Sequence, residues 1–400
     1  MGDRSVVSLA VVAVALAVVV ATVPLGSQSR SAAGTAAAGP APKTPWGHPD
    51  LQGIWTYEEQ IPFERPAEYA NKEFFTEEEM AALDKKRSSL QSRNYRAERG
   101  SEADVAGAYN AVFLTMKRTG RRTSLVVDPP NGRVPETTAA FKKQAAAQRA
   151  FALELLAPTD TCRQEMRGCA GGKYGPVSSR RNDVPPYYLT GAINRNNGPE
   201  DRSMGERCMA GSLPEFGTAF GGSYRRIVQS PNLVAIAHDQ GQGQGWHRMV
   251  PVDGSSHPPA HVRLLRGDSR GRWEGNSLVI DVSNFSPKSD FRGSRENLHL
   301  VERWTRVDAR TLEYQVTIED PTVWTRPYTV KQEFILQDGQ ANRIYYEPRC
   351  HEGNYSMAAM LQGTRLEEEA FAKGQGPDPA TRCTAGCTFG PDEETQDPLQ

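Results

Sequence analysis

From Tyr224 onward, apolar and polar residues alternate along the chain with a period of two. Leu312, Tyr314, Val316 and Ile318 share one face, and Glu313, Gln315, Thr317 and Glu319 share the other. Leu278, Ile280 and Val282 repeat the pattern, as do Ile344 and Tyr346. Side chains of an extended chain point alternately to opposite sides, so this periodicity predicts antiparallel strands with one buried face. The strands fall at 224–229, 232–238, 246–252, 277–283, 298–306, 311–319, 328–336 and 343–348. Turns follow at Ser230-Pro-Asn232, Glu274-Gly-Asn276 and Val307-Asp-Ala-Arg310. No helix-sized gap separates the strands for parallel crossovers. A meander of about eight strands has to close or stack to hide its edges, which predicts a barrel, with a β-sandwich as the alternative.

The first half of the chain is patterned differently. Asp50–Tyr57 is a short run of β-formers. A helix is predicted from Thr76 to about Arg96, where Thr76 and Glu79 form a capping box and acidic residues crowd the first turn. Thr123–Val127 reads as a strand ended by Asp128-Pro-Pro-Asn-Gly132, and Pro135 opens a second, alanine-rich helix ending near Leu156. Residues 158–222 are rich in glycine and proline, without period. At the N-terminus, Arg4 precedes an apolar run from Val6 to Val23, and Ser31-Ala32-Ala33 has the small residues of a cleavage site. That predicts a secretion signal over 1–33, with a retained anchor as the alternative. The expected organisation is therefore a signal (1–33), a disordered spacer (34–45), and a strand, two helices and long irregular loops packed on the barrel (46–222). The barrel (223–356) and a C-terminal helix with a flexible tail (357–400) follow.

Charge narrows the function classes. The chain carries 47 basic and 48 acidic residues, interspersed, for a net charge of −1, which gives no field for steering nucleic acid. Six cysteines in an exported chain point to disulfides. Pairing neighbours joins Cys162 to Cys169 and Cys383 to Cys387, leaving Cys208 for Cys350; a zinc site from Cys350, His351, Cys383 and Cys387 is the rival. The expected location is periplasmic or secreted, with no stable membrane insertion once the signal is removed.

From Asp50 to Tyr355 the chain resembles a large set of uncharacterised exported bacterial proteins. The segments that carry the resemblance are Asp50-Leu-Gln-Gly-Ile-Trp55, Arg65-Pro-Ala-Glu68, Arg122-Thr-Ser-Leu-Val-Val-Asp-Pro-Pro130, Gly267-Asp-Ser-Arg-Gly-Arg-Trp-Glu-Gly275, Leu298-His-Leu-Val-Glu-Arg-Trp304 and Cys350-His-Glu-Gly-Asn-Tyr355. It departs from that set at Phe220-Gly-Gly-Ser-Tyr224 and Gly241-Gln-Gly-Gln-Gly245. Gly53-x-Trp55 also resembles the opening of lipocalin-like (calycin) barrels. That likeness implies an indole on the barrel floor under a late arginine, here Arg349.

Three readings of function arise. The first is a barrel that binds a small amphipathic or sugar-like molecule, or a glycan. Trp273, Trp304, Tyr314 and Trp324 would be its apolar walls, and Arg272, His351, Glu352, Asn354 and Tyr355 its polar contacts. The second is a cofactor-independent lyase, isomerase or hydrolase. There, His299 is a general base oriented by Glu319 or Asp320, Glu302 is a buried acid or base, and Arg303 stabilises negative charge. On a strand, His299 and Arg303 point one way and Glu302 the other, with Arg272, Arg292 or Arg306 available to pair with Glu302. The third is a non-catalytic envelope component. His257-Pro-Pro-Ala-His261 reads as a rigid turn, and Arg266, Arg270 and Arg272 as an anion clamp or a charged loop. His351-Glu352 does not open an H-E-x-x-H zinc motif, since 354 and 355 are Asn and Tyr. The sequence has no Gly-x-Ser-x-Gly elbow and no Walker-type or dinucleotide glycine loop, so no cofactor is called for.

Overall fold

The computed structural model describes residues 40–57, 59–90, 118–163, 174–186, 194–209, 211–216, 224–241, 244–337, 350–351, 353 and 355–382. The expected signal, the end of the first helix beyond Leu90, the strand at 343–348, Arg349, Glu352, Asn354, Cys169, Cys383, Cys387 and the tail after 382 lie outside them.

The alternating pattern builds a barrel. Strands β1 (Gly53–Thr56), β5 (Tyr224–Ser230), β6 (Leu233–Gly241), β7 (Gln244–Pro251), β8 (Asp268–Glu274), β9 (Ser277–Ser283), β10 (His299–Arg306), β11 (Thr311–Glu319) and β12 (Tyr328–Leu336) form one sheet. Its order is β7-β6-β5-β1-β12-β11-β10-β9-β8. Followed round the ring, β5 to β12 is an up-and-down meander in chain order, and β1 pairs antiparallel with both β5 and β12 to bridge its ends. β1 is thus a member of the barrel rather than a strand packed on it. A further strand, β4 (Val126–Asp128), adds to β12, while β2 (Glu59–Gln60) and β3 (Arg118–Thr119) pair in parallel beside it.

The one break in the ring has a topological cause. Every ladder pair of the nine is antiparallel, and an odd number of alternating strands cannot close without one parallel neighbour. β7 and β8 are that pair, joined by the long connection 252–267. Side chains bridge them instead: Arg248 Nε donates to Ser269 Oγ at 2.9 Å. Gly271 permits the approach, since a methyl group there would lie 2.6 Å from Val252 Cγ1. β8 itself was expected as a charged loop. Its inward positions are Ser269 and Gly271, too small to mark a buried face.

Alternation decides which side chains are inside. On β10, Leu300, Glu302, Trp304 and Arg306 are buried, and on β11 so are Leu312, Tyr314, Val316 and Ile318. Val330 and Phe334 of β12 complete that wall, and Trp55 and Ile227 face it. The interior is filled by these side chains: Trp55, Trp304, Arg225, Tyr314 and Phe334 are among the largest that are fully buried. Burying one such apolar side chain is worth about 1.5–3 kcal/mol. Among the described residues, the arginine over the Trp55 indole is Arg306, at 5.0 Å.

Outside the barrel, α1 (Glu77–Leu90) starts with the expected box: Thr76 N donates to Glu79 Oε2 at 2.8 Å, and Glu79 N to Thr76 Oγ1 at 3.2 Å. α2 (Ala139–Leu156) begins later than Pro135 because Thr138 is its cap, accepting from Phe141 N. The preceding backbone is extended against 322–325, with Thr325 N donating to Glu136 O. α3 (Tyr355–Ala372) is the C-terminal helix. Among the described residues no helix is long and apolar enough to cross a membrane. Cys208 and Cys350 form the expected disulfide, with Cα atoms 5.2 Å apart, so Cys350 is not a zinc ligand. Cys162 is also disulfide-bonded.

Candidate functional site

The barrel splits the proposed triad of His299, Glu302 and Arg303 between its two faces, so the three do not share one pocket. Glu302 points inward and is 0 % exposed. Its partner is Arg248 of β7, not Arg272, Arg292 or Arg306: Nη1 donates to Oε1 at 3.1 Å and Nη2 to Oε2 at 2.6 Å. Tyr314 OH adds a bond to Oε1 at 3.0 Å. Burial first, and the Glu302 charge second, push the Tyr314 phenol well above its ordinary value, so it remains a donor. A buried carboxylate needs this full set of partners, and with it Glu302 ties β7 to β10 and β11 across the interior. The signal in the sequence was an arginine on the inward side of β7, between Trp246 and Val250.

His299 and Arg303 lie on the outer face. Arg303 pairs with Glu274 at 2.9 Å, and Arg272 joins the same carboxylate at 2.7 Å. His299 is 38 % exposed and holds Asp281 Oδ2 by Nε2 at 3.0 Å, while its Nδ1 is 3.6 Å from Glu319. His257, on the proline turn, bridges Asp268 at 2.6 Å and Asp281 at 3.0 Å. Arg270 closes the network on Asp268 instead of forming an anion clamp. Asp320 orients nothing here; it accepts from Ser294 and Thr322. With a carboxylate at each nitrogen, His299 favours the imidazolium, which has no lone pair to act as a base. The Asp281 hydrogen bond raises the His299 pKa above its ordinary value, and the same bond lowers that of Asp281.

The sign of the pH dependence follows. Stability from His299 is fully present below the unfolded histidine pKa and lost as pH rises through its raised folded value. That from Asp281 is present above the unfolded aspartate pKa and lost as pH falls through its lowered folded value. Asp281→Asn is therefore expected to destabilise most between about pH 4 and 6.5 and less at higher pH. It should also bring the His299 titration down, as read from imidazole NMR shifts; an unmoved titration would refute the coupling.

The remaining expected contacts scatter. Trp304, Tyr314 and Trp324 are buried within the core rather than lining an open lumen. Trp273 stacks on His48, with ring centroids 4.8 Å apart. His351 and Tyr355 are exposed, Tyr355 at 93 %.

An open cleft exists instead in the barrel wall. β1 pairs with β12 only at Ile335 and Leu336, and β4 only at Thr329 and Val330. Between them Lys331 N still donates to Leu125 O at 2.9 Å, but residues 332–334 have no ladder partner on this edge among the described residues, and a cleft of about 340 Å³ lies there. Tyr57, Ile61, Phe74 and Ile335 give it apolar surface, with Glu59, Arg121, Arg122, Lys331, Gln332 and Glu333 around them. Arg121 and Arg122 sit 5.5 and 5.3 Å from the Phe74 ring centroid. Burial, then the neighbouring Glu333 charge, raises the Glu59 pKa. Gln332 is 1 % exposed, yet neither Oε1 nor Nε2 has a hydrogen-bond partner among the described residues. Gln332 alternates with Val330 and Phe334 on the buried face of β12, and the sequence analysis did not single it out. The chain matches no known family model and no curated protein.

Proposed function

We propose that this protein is an exported binder of a small amphipathic molecule, and that its site is the wall cleft rather than the barrel lumen. The observation that carries the reading is Gln332, a buried amide without hydrogen-bond partners among the described residues that lines the cleft of about 340 Å³. A buried polar group left unpaired costs about 1–3 kcal/mol, and a ligand that pairs with it recovers that cost at the binding step. The apolar surface of Ile61, Phe74 and Ile335 suits a hydrocarbon or aromatic portion, and Arg121 suits an anionic or polar head. The Cys208–Cys350 disulfide supports an oxidising compartment, periplasmic or extracellular.

The test is a thermal-shift series with octanoate, phenylacetate, octyl glucoside and glucose. At least one compound with an apolar portion is expected to raise the Tm by a few degrees, and glucose is not. Gln332→Leu should raise the ligand-free Tm, because it removes an unpaired amide at similar volume, and should abolish the ligand shift. A panel without any shift, or a shift that survives Gln332→Leu, overturns the proposal.

A further inference from the structure

The barrel interior holds a second charged cluster that neither the Glu302 pair nor the wall cleft uses. Arg225 at the start of β5, His238 near the end of β6 and Trp246 near the start of β7 stand at one register level and face inward. Residues 211–216 cross this end. Leu213 is buried, and the Phe216 ring lies 5.3 Å from that of Phe63 and 6.3 Å from that of Tyr314. Among the described residues 211–216 joins no strand ladder, and its contacts run through Leu213, Glu215 and Phe216. Segments held this way open at low cost compared with laddered strands.

Glu215 is the carboxylate that this segment sets against the cluster. Glu215 Oε2 is 2.6 Å from His238 Nδ1, close but poorly aligned for a hydrogen bond, and Oε1 is 3.4 Å from Arg225 Nη2. Arg225 is 1 % exposed, and its hydrogen bonds, to Tyr224 O and Glu215 O, are both 3.3 Å long. Charge-assisted bonds normally run about 2.7–2.9 Å, so a buried guanidinium is under-satisfied here. Two more polar atoms beside it are buried without a partner among the described residues, His238 Nε2 and Trp246 Nε1. Burial is the main cause of a His238 pKa of about 4, so the ring is neutral at pH 7. With Nδ1–H toward Glu215, Nε2 is an acceptor. Trp246 stacks on His238 at 4.0 Å and carries Arg266 over its ring at 4.6 Å, which fixes the geometry.

We infer that this end of the barrel is a binding site for a small hydroxycarboxylate, and that Glu215 on segment 211–216 is a built-in competitor which the ligand displaces. The ligand carboxylate takes short bonds from Arg225 and the Trp246 indole N–H, and a ligand hydroxyl donates to His238 Nε2. An uncharged diol lacks the group Arg225 needs, and a plain carboxylate lacks the donor.

Lactate, propionate and propane-1,2-diol differ in just these groups and are the probes, used in calorimetric titration of the wild-type protein and Glu215→Ala. Lactate is expected to bind both, at least tenfold tighter to the variant, with propionate weaker and the diol silent. Lactate should also speed amide hydrogen exchange in 211–216 of the wild type. Binding to Glu215→Ala alone marks a filled mutational cavity and overturns the proposal, as do equal affinities or binding of the diol. Should Glu215→Ala not fold, Glu215→Gln keeps the shape without the charge; the same tenfold gain is expected, and its absence is equally decisive. Lactate binding must persist in Gln332→Leu, because loss there would move the ligand to the wall cleft.

Discussion

Glu302→Ala is expected to lower folding stability by about 3–5 kcal/mol, among the largest effects of any single substitution in the barrel. The cost comes mainly from what is left behind. Arg248 is 5 % exposed, and without Glu302 it retains the Ser269 hydroxyl but no counter-charge. Tyr314 also loses the acceptor of its hydroxyl. Replacing both charges, as in Glu302→Leu with Arg248→Met, removes the stranded cation and should recover most of the loss, because a buried pair and a well-packed apolar pair differ little. Arg303→Ala, next in sequence but on the outer face, is expected to cost under about 1 kcal/mol, as exposed pairs do. Urea denaturation of the four proteins checks this. A Glu302→Ala cost near that of Arg303→Ala, or a double variant no better than the single, would contradict the assigned pairing.

Breaking the Cys208–Cys350 disulfide ranks with it. The bond closes a loop with a sequence separation of 142, from the segment before β5 to the stretch that leads into α3. Restricting an unfolded chain over such a loop is worth about 4–5 kcal/mol in the chain-entropy model, before any strain. Cys208→Ser with Cys350→Ser should lower the denaturation midpoint accordingly, with little change in the ligand-free barrel, whose ladders do not include either residue. Thermal and urea unfolding, with circular dichroism of the native state, measures both. A loss under about 1 kcal/mol would mean that the unfolded chain is already compact across this loop, or that the folded state does not depend on the bond.

The two expectations were legible to different degrees. Cys208 and Cys350 were assigned from the order of six cysteines along the chain, and the structure pairs them. That Glu302 faces the core followed from its place between Leu300 and Trp304. Its partner did not, because Arg248 lies 54 residues away and alternation says which face a residue takes, not which strand stands opposite.

Local rules carried the sequence reading where the chemistry is local. A period of two marked seven of the barrel strands from residue 224 onward, the Thr76–Glu79 box marked the start of α1, and the faces of His299, Glu302 and Arg303 were settled by pleating alone. Closure was decided elsewhere. Only the tertiary structure shows β1 completing the ring, β8 taking small residues inward and β7 lying beside β8 without a ladder. The same holds for the wall cleft at Gln332 and for Glu215 set against Arg225 and His238. Pleating is a property of neighbours along the chain, whereas a gap in a wall or a charge facing a charge arises from strands brought together across it.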